Sequence, residues 1–212
     1  MYLFARSALL ATGKSREAAL WVGAVTEKVN QITDLNVTVW RNVFSQEINR
    51  ITWVSAVDEL AQLEAADDKL QADDAFVALV DSGAAFTVGA PDDTLGQFVL
   101  QSGDPSTPME YATTVTALVS PGKFARGIEL GVEIAQRAEK ITGQATSFLT
   151  SVTGDYSAIE WVTGYENVRA LQASGEKLAQ DAGFAQFLDK EVPGVYESGL
   201  SVTQQTVYRK VL

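Results

Sequence analysis

The chain contains no cysteine and no histidine among its 212 residues. Their absence excludes disulfides, Cys/His zinc sites, thiolate nucleophiles, Ser-His-Asp triads and any haem held by a protein histidine. Chemistry must come from carboxylates, Arg, Lys, Tyr, Ser or Thr hydroxyls, indole N–H groups, the backbone or a hard metal ion. Long apolar runs are also missing: Arg, Lys or Glu interrupts each one well short of membrane-spanning length. Met1 to Ala11 has neither a basic leader nor a secretory apolar run, so the sequence reads as a cytoplasmic protein with no membrane partner. Basic clusters are absent as well. With 16 basic and 27 acidic side chains the net charge is −11, which repels a phosphate backbone and argues against a nucleic-acid partner.

What the chain does have is 46% hydrophobic and 20% charged residues, the balance of a folded globular protein. It also has an internal repeat. Ile51 to Asp81 reappears without a gap as Ile159 to Asp189, a constant shift of 108 positions. Ten of the 31 aligned positions are identical, among them Trp53/Trp161, Lys69/Lys177, Asp73/Asp181 and Phe76/Phe184, where chance supplies roughly two. The repeat divides the chain into residues 1–101, a linker at 102–108 rich in Ser, Pro and Gly, and residues 109–212.

Each half reads as strand, helix, strand, strand, helix, strand. In the first, Tyr2 to Leu10 is a strand, and Ser15 caps a helix to about Thr33 with Ala18, Trp21, Val22, Val25, Val29 and Ile32 on one face. Asn36 to Gln46 and Ile51 to Val57 form a hairpin. A helix from Asp58 then leads through a turn at Gly89 to Asp93 into a strand from Thr94 to Gln101. The second half repeats the plan, ending in a strand over Leu200 to Leu212. This is the α+β, ferredoxin-like βαββαβ arrangement, predicted as two tandem copies. A sheet with helices on one face leaves the other face apolar, so the two copies are expected to pack sheet to sheet as an intramolecular α+β barrel. Outer sheet edges leave room for a homo-oligomer.

The strand Trp53-Val54, then Asp58-Glu59-Leu60, then the helix through Lys69-Leu70-Gln71-Ala72-Asp73 into Phe76, resembles the dimeric α+β barrel superfamily, in particular its NIPSNAP-like and antibiotic-biosynthesis-monooxygenase-like members. Trp161-Val162 through Lys177-Leu178 and Asp181 to Phe184 resembles it again. The resemblance implies a small-molecule-binding protein and, in its enzymatic form, a cofactor-independent oxygenase-like activity on an aromatic substrate. The alternative is a non-catalytic ligand- or partner-binding barrel with a filled core.

Several features bear on chemistry. Gly13-Lys14-Ser15 ends like a phosphate loop, but Ala8 stands where that motif needs its first glycine, so it reads as a strand-to-helix turn. The pairs Asp67-Asp68, Asp73-Asp74 and Asp92-Asp93 lack the alternating spacing of a cation loop, so neither metal nor cofactor is expected. Strand aromatics and strand polar groups supply the candidate ligand-binding set: Tyr2, Arg6, Trp40, Arg41, Asn42 and Trp53 in the first half, Glu160, Trp161, Tyr165 and Tyr208 in the second. If Arg6 and Arg41 face a cavity, they suit a carboxylate or enolate-like oxygen, so a small aromatic or carboxylate ligand is the expected partner. The halves differ at these positions: Arg41 aligns with Leu149, Trp40 with Phe148, Val57 with Tyr165 and Thr52 with Glu160. One half is therefore expected to hold a pocket that the other lacks.

Overall fold

A computed structural model describes residues 1–104, 107–197 and 204–212. The chain forms two compact units, residues 1–95 with 210–212 (unit 1) and residues 96–209 (unit 2). Part of the 102–108 linker and the first four residues of the strand expected at Leu200 lie outside the described residues. No described helix is long and apolar enough to cross a membrane.

Unit 1 begins with β1 (Tyr2–Leu10) and turns at Gly13, whose φ of +85° is a backbone state that glycine adopts without strain. Helix α1 (Ser15–Ile32) follows. Its N-cap is Lys14 with no side-chain cap bond, so Ser15 is the first helical residue and not the cap expected from sequence. Next come β2 (Thr38–Asn42), β3 (Arg50–Val57), α2 (Leu60–Gln71) and α3 (Asp74–Asp81). Asp73 caps α3 by accepting from Phe76 N at 2.8 Å and pairs with Lys28 Nζ at 2.8 Å, which accounts for one acidic pair as a helix start. The core packs Val22 and Val25 of α1 and Phe76 of α3 against Ala8, Val39, Ile51 and Trp53 of the sheet.

Strand β4 (Thr87–Leu100) is longer than expected and runs through the predicted turn at Gly89 to Asp93. Arginines on β1 and β3 hold that acidic stretch extended. Arg6 grips Asp93 with two bonds of 2.7 Å, and Arg50 reaches Asp92 at 3.3 Å.

Unit 2 contains β5 (Tyr111–Leu118), α4 (Phe124–Thr142), β6 (Thr146–Ser151), β7 (Ala158–Tyr165), α5 (Val168–Gln180), α6 (Ala182–Glu191) and β8 (Gln204–Lys210). Ala117, Val119, Leu130, Ala135, Phe148, Ile159, Trp161 and Tyr196 form its core. Helix α4 lies close against the sheet because it presents glycine there: a Cβ on Gly131 would stand 2.2 Å from Phe148 Cζ.

Within unit 1, β3 pairs antiparallel with both β1 and β2; within unit 2, β5 pairs antiparallel with β7 and β8, and β7 with β6. The four strands expected in each half do not pair only among themselves. The last strand of each half outruns its own sheet. Gly96 to Leu100 of β4 pair with β6 inside unit 2, while Val211 donates to Val39 O at 2.7 Å inside unit 1. Sequence pattern marks a strand but not which neighbour its far end bonds.

The registers also correct the comparison between halves. Trp53 faces Val39 across β2–β3, and Trp161 faces Phe148 across β6–β7. Val39 therefore matches Phe148, and Trp40 matches Leu149. The shift is 109 residues up to the β2–β3 hairpin and 108 beyond it, because that hairpin is one residue longer in the first half than its counterpart in the second.

Candidate functional site

A pocket of about 160 Å³ opens in unit 1 between the end of β3, the loop after α1 and the exposed side of α2. Leu35, Val57, Ala65 and Ala66 line its apolar wall. The small Ala65 and Ala66 keep α2 from filling it. The loop is fixed from within: Thr33 Oγ1 donates to Val29 O at 2.9 Å, and the Ser55 hydroxyl donates to Leu35 O. Three polar side chains stand at the mouth. Lys69 Nζ lies 3.8 Å from Asp34 Oδ2, both well exposed. Gln62 turns its Oε1 to the backbone N–H groups of Asp58 (2.7 Å) and Glu59 (3.2 Å), which leaves its amide N–H groups as donors. The site thus offers an apolar slot with donors and one carboxylate at its rim.

None of the ten residues singled out from sequence lines this pocket; Tyr2 stands across the strand pair from Val57, which does. The others divide between the two faces of the strands. Arg6 stands opposite Trp53, and Arg41 opposite Ile51, on the face toward the helices. Arg6 is committed to Asp93, and Arg41 is exposed. Trp53 is buried, its Nε1 donating to Thr26 Oγ1 at 2.9 Å and its ring edge-on to Trp21 at 5.9 Å. Trp40 and Asn42 lie on the other face. Trp40 Nε1 donates to Thr38 Oγ1 at 3.0 Å, and Asn42 Nδ2 to Gln46 O at 3.3 Å, while the buried Asn42 Oδ1 has no partner. The structure does not bring Arg6 or Arg41 together with Trp40: strand alternation separates them. Because the Arg6–Asp93 pair is half exposed, Arg6→Ala is expected to cost less than about 1 kcal/mol in urea denaturation.

In unit 2, Trp161 is core: its Nε1 donates to Gly131 O at 2.8 Å, and its ring packs on Phe148 and Tyr196. Tyr165 is buried with its hydroxyl 3.2 Å from Thr113 Oγ1. Glu160 points to the face away from the helices, in the cross-strand row Leu149, Glu160, Thr116, Gln204, with Tyr208 two rows along. Burial pushes the Glu160 carboxyl up to about 7, against the opposing pull of its bond to the Thr114 side chain. No Lys or Arg stands in that row to hold it ionised.

Sequence reasoning missed the pocket-lining residues. The signal that could have found them is the pairing of a divergent position, Val57 against Tyr165, with an unchanged lysine, Lys69 against Lys177.

No known protein family and no curated protein matches the chain. Solved structures do. A candidate monooxygenase from Fusobacterium nucleatum subsp. nucleatum ATCC 25586 superposes with a TM-score of 0.71 at 7% identity, covering 100% of this chain and 92% of the other. A second candidate monooxygenase, from Lactobacillus acidophilus NCFM, gives 0.67 at 7% identity over 99% and 93%. An anthrone oxidase-like protein gives 0.65 at 12% identity over 100% and 91%. At such identities the likeness is one of fold: the chain shares a mixed α+β architecture with these proteins.

Proposed function

We propose that this protein binds a small molecule in the unit 1 pocket and that its function is oxygenase-like, as the descriptions of its structural neighbours suggest. The pocket carries this reading. A cavity of about 150 Å³ suffices to hold benzene, and the one here measures about 160 Å³ with Lys69, Asp34 and Gln62 at its rim. A single aromatic ring is its natural content. In enzymatic form the activity is that of a cofactor-independent oxygenase: the substrate itself supplies the electrons to dioxygen, and the protein orients the ring. The resemblance of the Trp53-Val54 and Trp161-Val162 strands to NIPSNAP-like proteins belongs to the same proposal.

The second reading, a binding barrel without catalysis, has its own support. Apolar side chains cluster behind the strands of each unit, and the indoles of Trp53 and Trp161 are satisfied internally.

Titration calorimetry with single-ring compounds tests binding, and an oxygen electrode with the ligands so found tests turnover. The Ala65→Leu variant serves as control, since Ala65 is exposed at the pocket and a larger side chain there intrudes on the slot. Binding at least tenfold weaker with unchanged thermal stability is the expected outcome. Undiminished affinity would place the ligand elsewhere, and oxygen uptake at the buffer rate would leave the non-catalytic reading.

A further inference from the structure

The positions that line the pocket have counterparts in unit 2, and there the aligned side chains are larger or bonded differently. Val57 faces Tyr2 across β1–β3 just as Tyr165 faces Tyr111 across β5–β7. By the same shifts Thr33, Ala66 and Lys69 correspond to Thr142, Ser174 and Lys177. Tyr165 is 7% exposed and Ser174 3%. Lys177 Nζ donates to Thr142 O at 3.0 Å, tying α5 to the end of α4. Lys69 makes no such bond in unit 1 and lies instead toward Asp34. The reason is one residue. At the place of Asp34, unit 2 has Gly143 with φ +78°, the left-handed helix end that glycine favours, and so no carboxylate there draws the lysine outward.

We infer that Val57 and Tyr165 decide which unit is open: the Tyr165 ring is the built-in occupant of the unit 2 site, and the unit 1 site takes a free molecule of the same class, a single six-membered ring bearing one hydroxyl. The inference rests on the unit 1 pocket being a ligand site. The pocket volume suits one ring, since about 150 Å³ holds benzene and this pocket measures about 160 Å³. The rim sets the substituent. A hydroxyl donates to the Asp34 carboxylate and accepts from Lys69, whereas a ligand carboxylate would face Asp34 as a like charge. A bare ring would use neither group.

The test uses the full chain with p-cresol, which is the tyrosine side chain as a free molecule, and toluene, the same shape without the hydroxyl. Calorimetry is expected to show one equivalent of p-cresol bound by the native protein and toluene at least tenfold weaker. Val57→Tyr copies unit 2 into unit 1 and should abolish p-cresol binding without lowering the melting temperature. Tyr165→Val should lower it, and p-cresol should raise it again with a second equivalent bound. Should Tyr165→Val fail to fold, the Val57→Tyr result decides alone. Equal affinity for p-cresol and toluene would overturn the hydroxyl assignment and leave the pocket standing. Native protein that binds neither would overturn the pocket reading and this inference with it. Undiminished p-cresol binding by Val57→Tyr would overturn the role of Val57.

Discussion

Replacing Glu160 with glutamine will make the protein more stable above neutral pH and leave it almost unchanged near pH 4. In the unfolded chain the carboxyl ionises near its ordinary value of 4.5, and in the fold only at about 7. Between those values the folded state holds more protons than the unfolded one, so stability falls as pH rises from about 4.5 to 7, and the loss is complete above that. A difference of this size corresponds to about 3 kcal/mol. The other carboxylates titrate alike in both proteins, so the difference between native and Glu160→Gln isolates this one group. Urea denaturation of the two proteins at pH 4 and pH 8 should show midpoints that coincide at the lower pH and separate at the higher. Equal midpoints at pH 8 would mean that the carboxylate is compensated in the fold. The physical cause lies in the row of neighbours: Leu149, Thr116 and Gln204 carry no positive charge, so only the bond to Thr114 offsets the loss of water.

The second large effect concerns glycine on α4. A methyl group on Gly131 would meet the Phe148 ring at 2.2 to 2.8 Å, with Phe148 itself fully buried and packed at a tilt against Trp161 at 5.4 Å. The helix also cannot back away freely, because Gly131 O accepts the Trp161 indole at 2.8 Å and Gly127 O the Tyr196 hydroxyl at 2.6 Å. Gly131→Ala should therefore lose about 3 kcal/mol through overpacking, despite the gain in helix propensity of about 1 kcal/mol. Gly23 on α1 is the control: a Cβ there meets only Leu212 Cδ1 at 3.7 Å, an ordinary contact. Gly23→Ala should keep the propensity gain and raise the melting temperature. If the two substitutions behave alike, close packing of α4 is not what Gly131 provides.

Much of the architecture was legible in the sequence because it rests on local periodicity and on repetition. Strand β1 has the expected bounds, Tyr2–Leu10, since it carries dense Tyr, Phe and Leu content before a clear turn. The stretch from Gly89 to Asp93 was misread because glycine, proline and paired aspartates signal a turn wherever partners are unknown, and the partners here are Arg6 and Arg50 from strands far away in sequence. The Trp40/Phe148 alignment failed by one residue for a related reason: a single deletion in a hairpin does not disturb apolar content, but it reverses which face a side chain takes. The site was less legible. Aromatic and charged residues attract attention on strands, yet the open space formed where side chains are small, at Ala65, Ala66 and Val57. Smallness leaves no motif. Only the contrast with Tyr165 turns it into a signal.

The bond between Val39 and residues 211 and 212 has a consequence during synthesis on the ribosome. Strand β2 is made within the first 42 residues of the chain, yet the backbone that completes it, Val211 N and Leu212 O, emerges only after unit 2 has been translated. Until then the nascent chain carries an unmatched row of amide and carbonyl groups beside Val39, the sort of edge through which growing chains adhere to one another. Strand β2 is thus made early and completed late, and the time needed to translate some 170 residues sets how long that edge waits.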